Sequence, residues 1–158
     1  MVSDGVESFF LSTVVSAVES SHPRDVAHRA IAGFSRGGYG AVNIALRHSG
    51  MFGQVASVAG YFDLDDPSQM VATPQARSAN RPYDHPRQAR GERLLLLEDR
   101  HESLTLVRGE GRPFGSLMRR AGIPALTRLT AGGHDLVYLG RQLPLLQRFF
   151  ARGWDPGG

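Results

Sequence analysis

An α/β architecture, with an open, mostly parallel sheet and helices on both faces, is what the sequence predicts, and three observations predict it. Short apolar runs suited to strands alternate with amphipathic helical stretches four times along the 158 residues. The segments between successive runs are long enough for the crossovers that parallel strands need. One run, Arg93-Leu94-Leu95-Leu96-Leu97, is continuously aliphatic, as a central strand covered on both faces must be.

The first element is an amphipathic helix over 6–18, where Phe9, Phe10, Leu11, Val14, Val15 and Val18 recur at three- and four-residue spacing before Ser20-Ser21-His22-Pro23 stops it. Ala30-Ile31-Ala32-Gly33-Phe34 forms a short strand, and a helical pattern over 36–47 follows it without a loop. Val55, Ala56, Val58 and Ala59 place a buried strand over 54–61. The stretch 62–91 is polar, holds Pro67, Pro74, Pro82 and Pro86, and shows no period. A structureless loop of that length in a compact domain reads as a lid or binding segment. After the aliphatic strand comes a helix over 114–121, stopped by Gly122, and then an alternating strand over 125–130. The last helix spans 135–149, with Leu136, Leu139, Leu143 and Leu146 on one face and a bend at Pro144.

One domain over 1–158 is expected, because a chain of this length can bury roughly two thirds of the surface its unfolded form exposes. The longest aliphatic run, Leu94 to Leu97, falls far short of the roughly 20 residues a bilayer requires. Met1-Val2-Ser3-Asp4-Gly5 has no basic region of the kind that opens a signal peptide, so no membrane span is expected and a cytoplasmic location is the default. The chain has no cysteine, which excludes disulfides, thiol nucleophiles and cysteine-ligated zinc. All 18 basic residues are Arg and the net charge is +3. They form no block: Arg87, Arg90 and Arg93 are broken by Glu92, and Arg119-Arg120 stand on a helix, so no nucleic-acid partner is expected. Asp63, Asp65 and Asp66 lack the spacing of a calcium loop and form the turn before Pro67, so neither a metal nor a cofactor is expected.

The chemistry gathers at Gly33-Phe34-Ser35-Arg36-Gly37, a G-x-S-x-G sequence between a strand and a helix. In that setting the serine sits at the tip of a sharp, strained turn, where a Cβ at Gly33 or Gly37 would collide. The following helix points its N-terminus, and the backbone N–H of Arg36, at a developing oxyanion. The competing reading makes Ser35 an ordinary helix N-cap.

A serine nucleophile needs a histidine base and a carboxylate that orients it, in the chain order serine, acid, histidine. His22 and His28 precede Ser35, and no acid separates Ser35 from His48, which leaves His85, His101 and His134. His85 lies in the proline-rich loop beside Asp84, and His101 lies in a turn between Arg100 and Glu102. His134 stands apart, because Ala131-Gly132-Gly133 carries the chain off a strand into the last helix, placing the imidazole where α/β sites form. Glu98, Asp99 and Glu102, after the aliphatic strand, offer three carboxylates for the acid.

The run Ala30-Ile31-Ala32-Gly33-Phe34-Ser35-Arg36-Gly37-Gly38-Tyr39-Gly40-Ala41, the later Val58-Ala59-Gly60-Tyr61-Phe62 and Gly132-Gly133-His134-Asp135 together resemble the Putative esterase family of α/β-hydrolases, which includes esterase D and the mycolyltransferases. The resemblance covers about 14–150. It implies Ser35 as nucleophile and His134 as general base, and its pattern places the acid at Glu102. That turn lacks the glycine with which the family's turn usually opens, and Asp99 stays open as the alternative. Members of the family carry several strands ahead of the elbow, and a loop there donates a second oxyanion N–H. Only 34 residues precede Ser35. The resemblance therefore implies an N-terminally truncated fold: the C-terminal portion of a longer hydrolase, a mis-started reading frame, or a reduced module with impaired activity.

The leading expectation is a serine carboxylic-ester hydrolase working through an acyl-enzyme on a small-molecule ester, without a cofactor. Acyl transfer with the same triad, and a non-catalytic hydrolase-fold binding module, are the alternatives. Tyr61, Phe62 and Tyr83 are expected to give the substrate apolar contact. The strand carrying the elbow is expected to leave one side unpaired, an edge through which copies self-associate.

Overall fold

A computed structural model describes residues 4–63 and 73–155. Four strands, β1 (Ala30–Phe34), β2 (Gln54–Val58), β3 (Arg93–Asp99) and β4 (Ala125–Thr130), lie side by side in chain order, and every pairing is parallel. The register sets Ala32 opposite Ala56, Ala56 opposite Leu95 and Leu95 opposite Leu126. Six α-helices are described: α1 (Asp4–Phe9), α2 (Val15–Glu19), α3 (Arg36–Arg47), α4 (Pro74–Ala79), α5 (Gly111–Arg120) and α6 (Leu136–Trp154).

The two faces of β3 show why the sheet needs cover on both sides. Leu94 and Leu96 pack with Val42, Ala45 and Leu46 of α3 and with Phe114 and Met118 of α5. Leu95 and Leu97, pointing the other way, pack with Leu146 and Phe149 of α6. The period of two in the strand thus divides the core into two layers, and the fold is the expected α/β class.

Several boundaries differ from the pattern reading. The first helix is interrupted: α1 and α2 are joined by a π-helical turn over Phe10–Val14. β2 ends at Val58, short of the expected 54–61, because Ala59 has φ of +49°, which breaks the extended run. The described part of the polar stretch is structured. Thr73 caps α4 by accepting the Ala76 N–H at 3.2 Å, with Pro74 in the first turn, and two 3₁₀ turns begin at Pro82 and Pro86. These prolines start helical turns, where the missing N–H costs nothing. Asp65, Asp66 and Pro67 lie outside the described residues. Helix α6 runs on past Phe149 to Trp154 with Pro144 inside it. No described helix is long and apolar enough to cross a membrane.

Glu92, in the turn leading into β3, is 2% exposed, and its Oε1 has no hydrogen-bond partner among the described residues. Burial pushes its pKa up to about 8. The folded protein therefore holds a proton that the unfolded chain releases, so stability falls as pH rises between about 4.5 and 8. Glu92→Gln is expected to flatten that slope and to raise stability near pH 8 by up to about 4 kcal/mol, as read from denaturant unfolding of both proteins at about pH 5 and pH 8. An unchanged slope in the variant would assign the pH dependence elsewhere.

Candidate active site

The end of β1 and the start of α3 build the turn that carries Ser35. Its backbone sits at φ +56°, ψ −119°, a region that a residue with a side chain enters only where the surroundings enforce it. The enforcement is visible: the Ser35 N–H donates to the Val58 carbonyl at 2.8 Å, and the Tyr39 N–H donates to the Ser35 carbonyl at 3.1 Å, opening the helix. Glycine is required on the strand side, because a Cβ at Gly33 would strike the Gly37 carbonyl. At Gly37 itself a Cβ would meet open space, contrary to the motif reading. The second constrained position is Gly38, whose Cβ would lie 2.5 Å from Ser57 Oγ, where α3 crosses close over β2. Ser35 makes no side-chain cap bond to α3, so its hydroxyl is directed elsewhere.

That hydroxyl lies 2.7 Å from His134 Nε2. His134 stands in the turn between β4 and α6, one residue before Asp135, whose carboxylate caps α6 by accepting the Tyr138 N–H at 2.7 Å. The cap fixes where the helix begins, and so where the imidazole sits. A Cβ at Gly132 would run into the Tyr138 ring, so the turn can pass close to the helix only with glycine there. The Phe34 ring packs on the imidazole with centroids 4.9 Å apart.

The three carboxylates after β3 have different fates. Glu98 Oε1 accepts the Gly111 N–H at 2.7 Å, holding the start of α5. Asp99 is buried, and neither of its oxygens has a hydrogen-bond partner among the described residues. Glu102 Oε2 lies 2.8 Å from His134 Nδ1, and its other oxygen accepts the Leu104 N–H at 2.8 Å. Its side chain is 1% exposed and that of His134 is 15% exposed. The loop is pinned by Arg108, which donates to the carbonyls of Glu102 at 2.8 Å and Ser103 at 3.1 Å. Serine, histidine and Glu102 thus form one chain of hydrogen bonds. His85 bonds the Ser78 carbonyl instead, and His101 is exposed.

Beside Ser35 opens a cavity of about 310 Å³, lined by Arg36, Tyr61 and the segment Leu104 to Val107. Tyr61 stacks on Tyr39 with centroids 5.1 Å apart; burial raises its hydroxyl pKa, opposed by a hydrogen bond from Arg36. Phe62 and Tyr83, expected at the substrate with Tyr61, are not among the lining residues. Both rings pack on Phe114, at 4.3 and 5.3 Å, where the α5 layer of the core takes them up. The 104–107 segment was missed by the sequence reading, since it has no period and reaches Ser35 only through the fold. Among the described residues, no group of three His, Asp or Glu side chains is placed to hold a metal.

Residues 3–112 match the family described as Putative esterase. The chain belongs to that family. Among solved structures, a ferulic acid esterase is 28% identical, with a TM-score of 0.76 over 93% of this chain and 60% of its own. FphF, a fluorophosphonate-binding serine hydrolase of Staphylococcus aureus, is 16% identical with a TM-score of 0.70, covering 94% of this chain and 63% of its own. An S-formylglutathione hydrolase from Agrobacterium tumefaciens is 18% identical with a TM-score of 0.71, covering 93% of this chain and 57% of its own. The last two likenesses show the α/β-hydrolase fold. The chain spans about three fifths of the length of these relatives. No curated protein sequence matches it.

Proposed function

We propose that this chain carries the catalytic serine of a carboxylic-ester hydrolase that works through an acyl-enzyme, with Ser35 as nucleophile, His134 as base and Glu102 as orienting acid. The observation that carries this reading is the pair of hydrogen bonds, 2.7 and 2.8 Å long, that joins the three side chains across three separate loops. Family membership and the fold likeness to serine hydrolases support the class of reaction.

In this reading Ser35 Oγ attacks the ester carbonyl carbon while His134 Nε2 takes its proton. The Glu102 carboxylate accepts the Nδ1–H, which selects the tautomer and stabilises the imidazolium. The Arg36 N–H and the N-terminus of α3 face the negative oxygen of the tetrahedral intermediate. Collapse breaks the C–O bond, and His134 returns the proton to the departing alkoxide. A water activated by the same imidazole then cleaves the acyl-serine, releasing the carboxylic acid and restoring Ser35. Leu104, Leu106 and Val107 give the acyl group an apolar wall.

The backbone N–H of Arg36 supplies an oxyanion donor. Turnover of p-nitrophenyl acetate, lost when the protein is pretreated with a fluorophosphonate, is the expected result. Turnover unaffected by that pretreatment would remove the reading. β1 pairs with β2 alone among the described strands, leaving its other edge free. Self-association through that edge is expected, as a mass that rises with concentration in light scattering; a constant monomer mass would refute it.

A further inference from the structure

The end of the sheet opposite Ser35, where β3 and β4 begin, carries a second concavity. Helix α6 lies over β2 and β3, so the α6-side face of β4 is left partly uncovered, and Leu126 is 40% exposed. Between that face and the C-terminal half of α6 is a cleft of about 460 Å³ with an apolar floor that includes Leu126, Leu145 and Phe149. This volume lies within the range of small-molecule sites, roughly 300 to 1,000 Å³.

Charge distinguishes the cleft from an ordinary gap at a sheet edge. Arg128 of β4 and Arg148 and Arg152, one turn apart on α6, stand around it. All three are exposed, and none has a hydrogen bond or ion pair with a described residue. Two further arginines at its edge are already engaged: Arg93 donates to Gln54 at 3.2 Å and lies 4.9 Å over the Phe149 ring, and Arg119 donates to the Ala125 carbonyl at 3.0 Å. No acidic side chain lines the cleft among the described residues. Three guanidinium groups gathered without counter-charge repel one another. A ligand that relieves this must be anionic where the arginines stand and apolar where the floor is.

We infer that this cleft binds a small amphiphilic anion, an alkyl or aryl group bearing a carboxylate or phosphate. The planar guanidinium fork matches either head group with paired, charge-assisted hydrogen bonds, while the apolar body leaves water against Leu126, Leu145 and Phe149. A neutral amphiphile gains only the second contribution, and inorganic phosphate only the first. The site lies away from Ser35 and does not depend on the reaction proposed there.

Calorimetric titration of the full chain tests this with decanoate, decyl phosphate, decanol and inorganic phosphate. One equivalent of decanoate or decyl phosphate is expected to bind, the tighter of the two naming the preferred head group, with decanol and phosphate weaker by about tenfold or more. The double variant Arg128→Gln, Arg148→Gln should keep its melting temperature, since neither side chain has a partner to lose, and weaken decanoate by about tenfold or more. Decanol binding as tightly as decanoate, unchanged binding in the double variant, or displacement of decanoate by a single-stranded oligonucleotide would each overturn the inference.

Discussion

Replacing Ser35 by alanine is expected to drop aryl-ester turnover to the uncatalysed background while leaving the fold intact. The change removes one oxygen, which is hydrogen-bonded to His134 at 2.7 Å. The backbone features that hold the turn, the Ser35 N–H to Val58 bond and the glycines at 33 and 38, do not involve that oxygen. Alanine must still adopt φ near +56°, a cost the turn already imposes on serine. Loss of a nucleophile in a working triad costs on the order of 10⁴ or more in rate, so whatever turnover the parent shows should vanish. Initial rates with p-nitrophenyl acetate, alongside circular dichroism of both proteins, check this. Preserved turnover in the alanine variant would show that the hydrolysis arises elsewhere.

The next largest effect separates two carboxylates. Glu102→Gln is expected to lower the rate by roughly 10² to 10⁴, because an amide facing Nδ1 can present N–H₂ and favour the wrong imidazole tautomer, and cannot stabilise the imidazolium. Asp99→Asn should change the rate by less than about threefold, since its carboxylate bonds neither His134 nor any other described residue. A crippled Asp99→Asn beside an active Glu102→Gln would reverse the assignment.

How far the sequence carried these conclusions depended on whether a local pattern decided the outcome. The helix over 36–47 and the strand over 125–130 were legible to the residue, because apolar period and flanking glycines act within one element. The place of Ser35 at the turn from β1 into α3 was legible from the setting of its motif. The place of His134 between β4 and α6 followed from chain order and from Ala131-Gly132-Gly133 leading off the strand. Which carboxylate lies beside His134 was not legible from residue order, since Glu98, Asp99 and Glu102 crowd one turn and only the three-dimensional path brings Glu102 to Nδ1. The motif also pointed to Gly37, whereas the crowded position is Gly38, because the crowding comes from Ser57 on a neighbouring strand. Phe62 and Tyr83 read as binding aromatics in a polar stretch, yet Phe114, far along the chain, holds Phe62 in the core and Tyr83 against it. The 104–107 wall has no signature at all, because its residues matter through where Arg108 and Glu102 anchor the loop.

The central claim is that His134, held by Glu102, makes Ser35 nucleophilic, and covalent labelling with a fluorophosphonate tests it most directly. The account predicts a single adduct on the peptide containing Ser35, formed at least about tenfold more slowly in His134→Ala than in the parent. An adduct on another residue, or equal labelling rates in the two proteins, would contradict it.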